Sequence, residues 1–286
     1  MKILKESDLE IGDILIFEDY DFNNDELINN FNESGFKGAF YYLLHYLIAW
    51  FDPGKEGENY KNIYHAAIWG NVDINRDTNS DPLLKNCVVQ AGTNGIGCAT
   101  LKETLTHKTV MNVYVCRLKE KTSSFETDIN KSIRDFYKEK GYYSFKTAWL
   151  LAIICSMRYT KGQVFRLLEK YLHSKIGAKY IVKMILDSIN EYSNHNQRKM
   201  VACSPLVGMM YKNAGYELPV NVFELWQDNK FPNAHFDLKN LEEKLPLTSY
   251  NENDEWPIIK ETIVTPRQLM ESPAVEMIGI LRHLKK

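Results

Sequence analysis

The chain has 286 residues, 44% of them hydrophobic and 25% charged, with 35 Lys and Arg against 37 Asp and Glu for a formal net charge of −2. Such a composition belongs to a globular protein with ample material for a core, and near-neutrality without a basic stripe argues against a nucleic-acid partner. The five cysteines, odd in number and irregularly spaced, exclude a disulfide framework and a CxxC metal knuckle, so free thiols in a reducing compartment are expected.

In chain order, Met1-Lys2-Ile3-Leu4-Lys5-Glu6 lacks a hydrophobic signal core. The expected location is cytoplasmic, or exported without a conventional signal peptide. The longest apolar runs, 40–50 and 148–154, are too short or too interrupted to span a bilayer, which leaves only peripheral membrane contact open. Residues 9–17 read as a strand. Residues 35–51 are aromatic-rich and nearly apolar all round until Asp52-Pro53-Gly54 ends them. They read as a core helix, or as a lid or acyl-binding wall if they border a reactive group.

Residues 63–70 form a short apolar run with β-branched and aromatic members, hence a buried strand. His65 is its one ionisable side chain apart from the Tyr64 phenol. A buried imidazole must hydrogen-bond something; it is either a satisfied core histidine or the base of a Cys–His pair, which needs a rigid element. Strict alternation points Tyr64 to the opposite face. The other histidines are worse placed: His45 in an apolar helical stretch, His107 in a turn, His173 and His283 on charged helices, His195 and His235 in polar loops.

Residues 86–91 read as the next strand. The glycines at 92, 95 and 97 mark a hairpin turn, since a phosphate loop needs a further glycine and a following Lys-Ser/Thr. Gln90 is either an ordinary strand-end residue or the acceptor that holds the second ring N–H of His65, although a carboxamide stabilises an imidazolium less than a carboxylate does. Residues 110–118 read as a strand. Periodicity predicts helices over 124–139, with Phe125, Ile129, Ile133 and Phe136 on one face, and over 145–158, 163–173, 177–192, 204–214 and 274–285. Gly215 suits a helix-ending position. Cys87, Cys116 and Cys155 sit in apolar runs and read as packing residues, while Cys98 follows a turn.

Cys203 stands where the polar stretch 193–199 gives way to a helix with Pro205 in its first turn. A thiol there feels unpaired backbone N–H groups and the positive end of the helix dipole, which favour the thiolate. The plainer alternative is a small buried hydrophobe. If Cys203 is a nucleophile, its own N–H is one oxyanion donor.

Five segments together resemble the circularly permuted branch of the NlpC papain-like superfamily, particularly the YiiX-like hydrolases. They are the "GD-apolar" strand at 9–17, the histidine strand at 64–69, the polar-residue strand and the strand after it (88–91, with 96–101, and then 113–118), the Cys203 helix start at 202–207, and the "TP…SP" segment at 265–273. The resemblance implies an α+β fold: a permuted papain-like domain over residues 1–286, its antiparallel sheet packed against the nucleophile helix, with helical insertions at about 19–62 and 146–200. It implies Cys203 as nucleophile, His65 as base and Gln90 as the orienting residue, with no cofactor and no metal. The activity implied is hydrolysis of an amide or peptide bond through a thioester, on a peptide, amide or acyl-lipid substrate. Relatives also include acyltransferases acting on lipid or protein amines. Where this chain has Gln90 the group favours Glu, a departure that would suit an inactive binding module of the same fold.

Overall fold

The structure, a computed structural model, describes residues 1–20, 23–51, 62–72, 85–92, 95–139, 161–194, 203–219 and 264–282. The β-branched runs assemble into one six-stranded sheet: β1 (Ile14–Glu18), β2 (Ile63–Gly70), β3 (Cys87–Gly92), β4 (Gly95–Ala99), β5 (Asn112–Leu118) and β6 (Val275–Arg282). The order is β4-β3-β2-β1-β5-β6, and every neighbouring pair is antiparallel. Alternation divides the side chains between two buried faces. Ile14, Ile16, Ala66, Ile68, Val89 and Cys116 join one apolar cluster. Leu15, Phe17, Ala67, Trp69, Val88 and Val115 join the other.

The helices are α1 (Asn24–Phe51), α2 (Leu101–Leu105), α3 (Phe125–Glu139), α4 (Lys161–Leu172), α5 (Lys175–Asn194), α6 (Cys203–Asn213) and α7 (Pro266–Met270). The protein is therefore α+β, an antiparallel sheet with helices against it. In α1 the backbone breaks at Gly35 (φ 63°). Beyond the break, Tyr42, Leu43, Tyr46, Ile48 and Ala49 are buried, and all but Ala49 belong to the cluster that holds Ile63 and Ala66 of β2. These positions of the aromatic stretch are core. Helices α2 and α7 open on capping boxes missed in the sequence. The Thr100 hydroxyl accepts the Glu103 N–H at 3.1 Å, and the Thr265 hydroxyl accepts the Gln268 N–H at 3.1 Å. The predicted helix 145–158, together with Cys155, His195, His235 and His283, lies outside the described residues.

Three expectations need correction. The strand expected over 9–17 begins at Ile14, because residues 9–13 make the turn that carries Gly12 and Asp13. The polar stretch at 193–199 is helical at its first two residues, since α5 runs to Asn194. Finally, the helix expected over 274–285 is strand β6. Its register against β5 slips between Val115 and Cys116, which pair with Gly279 and Met277 and leave Ile278 as an extra residue. That bulge puts Val275, Met277 and Ile280 in one cluster and Ile278 and Leu281 in the other. The spacing then mimics a helical period in the sequence.

Gly279 lies where the N-terminal segment crosses β6. Leu4 N–H donates to the Ile280 carbonyl and Ile280 N–H to the Lys2 carbonyl, both at 2.9 Å. A Cβ on Gly279 would stand 2.6 Å from that Lys2 oxygen and 2.7 Å from Leu4 Cγ. Among the described residues no helix is long and apolar enough to cross a membrane.

Strand and helix make opposite predictions for Gly279→Ala. In a helix interior the change would stabilise by about 1 kcal/mol. In β6 the close approach should make it destabilising by roughly 1–3 kcal/mol, read from the urea unfolding midpoint. A raised midpoint would contradict the strand.

Candidate active site

His65 sits at an irregularity in β2. Phe17 of β1 pairs with His65, but the next residue, Glu18, pairs with Ile63, so Tyr64 and His65 together oppose Phe17. This is a β-bulge, a device that re-aims a side chain. Its consequence corrects the expectation for Tyr64, which does not turn to the face opposite the imidazole. The Tyr64 and His65 rings lie 6.0 Å apart at 26°, and Phe17 approaches His65 at 5.1 Å and 58°.

Gln90 comes from β3. Backbone pairing between β2 and β3 runs over Gly70↔Cys87, Trp69↔Val88 and Ile68↔Val89. Just past this last pair the two side chains close the seam, with His65 Nε2 2.8 Å from Gln90 Oε1. A carboxamide oxygen only accepts, so Nε2 carries a hydrogen and Nδ1 is the ring nitrogen left for another partner.

The other neighbour of the ring is Cys203, the first residue of α6, whose thiol is near enough for each group to shift the titration of the other. Helix α6 packs on β2, β3 and α3, and four hydrogen bonds seat it. The Ser204 hydroxyl donates to the Val264 carbonyl at 2.6 Å, Tyr211 to the Gly12 carbonyl at 2.5 Å, and Ser132 of α3 to the Met210 carbonyl at 2.8 Å. Asn213 completes the set through Ser132 at 3.1 Å. Gly215 at φ 87° ends the helix. Its N–H reaches the Lys212 carbonyl while Tyr216 N–H reaches Tyr211, which forms a Schellman motif.

Electrostatics follow from this seating. Burial is the largest influence on both groups, and it disfavours charge on each. It is outweighed. The Cys203 thiol is held below the ordinary thiol range by the His65 charge, by their hydrogen bond, and by the backbone N–H groups of Ala66 and Ser204. His65 is correspondingly pushed up by the Cys203 charge, by that same bond, and by Gln90. Both shifts run toward a thiolate beside an imidazolium. Cys203 is 4% exposed, whereas His65 and Gln90 are only half-buried.

All three residues singled out from the sequence thus meet. Two contributors left no sequence signal, the Ala66 and Ser204 N–H groups, because backbone donors are specified by conformation rather than residue type. Cys87, Cys98 and Cys116 form no disulfide; Cys98 donates to the Tyr137 hydroxyl at 3.3 Å, and burial and the Asp13 charge raise the Cys116 thiol to about 12. Among the described residues no group of three or more His, Cys, Asp or Glu side chains could hold a metal ion. Protein-family models, curated proteins and solved structures yield no match to this chain.

The pair has a measurable signature. Carbamidomethylation of Cys203, followed by peptide mass across pH, should rise through a midpoint clearly below the free-thiol value of about 8.5. In His65→Ala burial acts with the main opposing charge gone, so the midpoint should move above that value. Identical midpoints in the two proteins would refute the pairing.

Proposed function

We propose that this protein is a cysteine hydrolase of acyl bonds, amide or peptide bonds foremost, working through a Cys203 thioester. The observation that carries the reading is the approach of a buried helix-start thiol to an imidazole whose far nitrogen is already engaged by a carboxamide. Nucleophile, base and orienting group stand in the relation that covalent acyl transfer needs. In chain order the three run His65, Gln90, Cys203, with the cysteine helix against an antiparallel sheet. That order supports reading the fold as a permuted papain-like domain of the NlpC type, with α1, α4 and α5 as insertions into a single domain.

In this reading, the Cys203 thiolate attacks the acyl carbonyl carbon and the carbonyl electrons move onto oxygen. As the tetrahedral adduct collapses, the imidazolium of His65 gives its Nδ1 proton to the departing amine or alkoxide, leaving the thioester and a neutral ring. Neutral His65 then takes a proton from water as the water attacks the thioester. Collapse of the second adduct releases the carboxylic acid and restores thiolate and imidazolium. Gln90 accepts from Nε2–H at every stage, so the ring keeps one orientation while Nδ1 gains and loses its proton.

The pH dependence has a definite sign. Thiolate forms as pH rises through the depressed Cys203 value, and the acid is lost as pH rises through the elevated His65 value. The kcat/KM profile is a bell whose acid limb lies below the ordinary thiol range and whose alkaline limb lies above the ordinary imidazole value of about 6.5. Gln90→Glu puts a carboxylate on Nε2–H and should move the alkaline limb up by about one pH unit.

The test is intact mass after incubation with acylated amines, peptides and activated esters. An acyl adduct should form on Cys203, disappear with time, and be absent in Cys203→Ala. In His65→Ala its formation should be slower by about 10²–10⁴-fold. Absence of any adduct across these classes, with Cys203 reactive to alkylation, would overturn acyl chemistry in favour of a binding role.

A further inference from the structure

The bulge that aims His65 also brings Tyr64 alongside it, and Tyr64 is itself held from behind. Its hydroxyl lies 3.2 Å from Thr109 Oγ1, and Thr109 Oγ1 lies 2.9 Å from Nδ1 of His107. The direction of this chain follows from a third contact. Thr109 N–H donates to the same His107 Nδ1 at 3.5 Å, so Nδ1 is an acceptor. The Thr109 hydroxyl then donates to Nδ1 and keeps its lone pairs for the Tyr64 hydroxyl. Burial, with the Asp19 and Cys203 charges, pushes the Tyr64 phenol up, so it stays protonated and donates.

The imidazole is therefore fixed by more than its two nitrogens. Gln90 holds Nε2 and Cys203 takes the other side, but both bonds leave the ring free to tilt about the line joining them. Phe17 and Tyr64 are the ring contacts that resist this tilt. Phe17 is locked by β1, buried and without a polar atom. The Tyr64 hydroxyl meets Thr109, on the turn between α2 and β5.

The geometry points to Tyr64 as a positioning residue for His65, locked in place by the Thr109 hydroxyl. The inference rests on the thiolate–imidazolium reading and extends it: the turn carrying His107 and Thr109 sets how well the base faces the thiol. The reaction itself uses neither side chain.

The test compares the full-length protein with Tyr64→Phe, Thr109→Val, their double variant and Tyr64→Leu, reading the pH profile of Cys203 carbamidomethylation by peptide mass. Tyr64→Phe and Thr109→Val remove the same bond. Each should lower the rate near pH 6 by about two- to tenfold, and the double variant should lower it no further than either alone. Tyr64→Leu also removes the ring and should lose at least about tenfold at that pH, with little change where the thiol ionises unaided. A role in stability alone would lower the melting temperature and leave the profile where it was. Profiles that superimpose on wild type, beside a normal loss in His65→Ala, would overturn this inference and leave the ion pair standing. A wild-type profile indifferent to His65→Ala would overturn both. Should Tyr64→Leu fail to fold, the single-bond variants decide the matter.

Discussion

A buried thiol meets a half-buried imidazole, and each is shifted toward the charged form that burial alone would suppress. The local structure is arranged around that contact. Two charges in a dry place persist only when each has the other and further hydrogen bonds besides. Here sulfur has two backbone N–H groups as well as the imidazole, and the imidazole has a carboxamide on its second nitrogen. Take away the pairing and both groups revert to what burial favours, a neutral thiol and a neutral ring.

Holding such a pair requires the helix that carries sulfur to sit on the sheet within a fraction of an ångström. The turn before β1 does much of this. The Gly12 carbonyl receives the Tyr211 hydroxyl from α6, while Gly12 N–H and the Asp13 carbonyl bond the backbone of Trp69 on β2. The Asp13 carboxylate, buried, takes a bidentate pair from Arg117 of β5 at 2.8 and 2.7 Å, and Arg117 Nη1 also reaches Glu10 at 2.6 Å. One turn thus ties together the helix of the nucleophile, the strand of the base and the strand on the far side of β1. Segment 264–270 braces the other end of α6 through Ser204. These bonds join stretches far apart in sequence, up to 199 residues between Gly12 and Tyr211, and none is itself part of the candidate site.

Legibility in the sequence followed regularity. Strand β2 was readable to the residue, and α3 was readable because Phe125, Ile129 and Ile133 recur at the helical period and are buried. Cys203, His65 and Gln90 were readable because each is chemically out of place in its segment. What escaped was irregularity. At Tyr64–His65 and at Ile278 a bulge inserts one residue, and alternation then changes phase without any change in residue type. In β6 this imitated a helix, and in β2 it hid the approach of Tyr64 to the imidazole. The capping boxes of α2 and α7 were legible in principle, since Thr100 and Glu103, and Thr265 and Gln268, have the required spacing. They flank helices of five residues, too short for periodicity to announce.

The contact between sulfur and imidazole can be observed without any substrate, by NMR of protein labelled at its histidine nitrogens. At neutral pH both ring nitrogens of His65 should carry protons. In Cys203→Ala the ring should become neutral, protonated at Nε2 alone because Gln90 still accepts there. A His65 that is already neutral beside the intact thiol, or one whose protonation is untouched by removing sulfur, would contradict the account at its root.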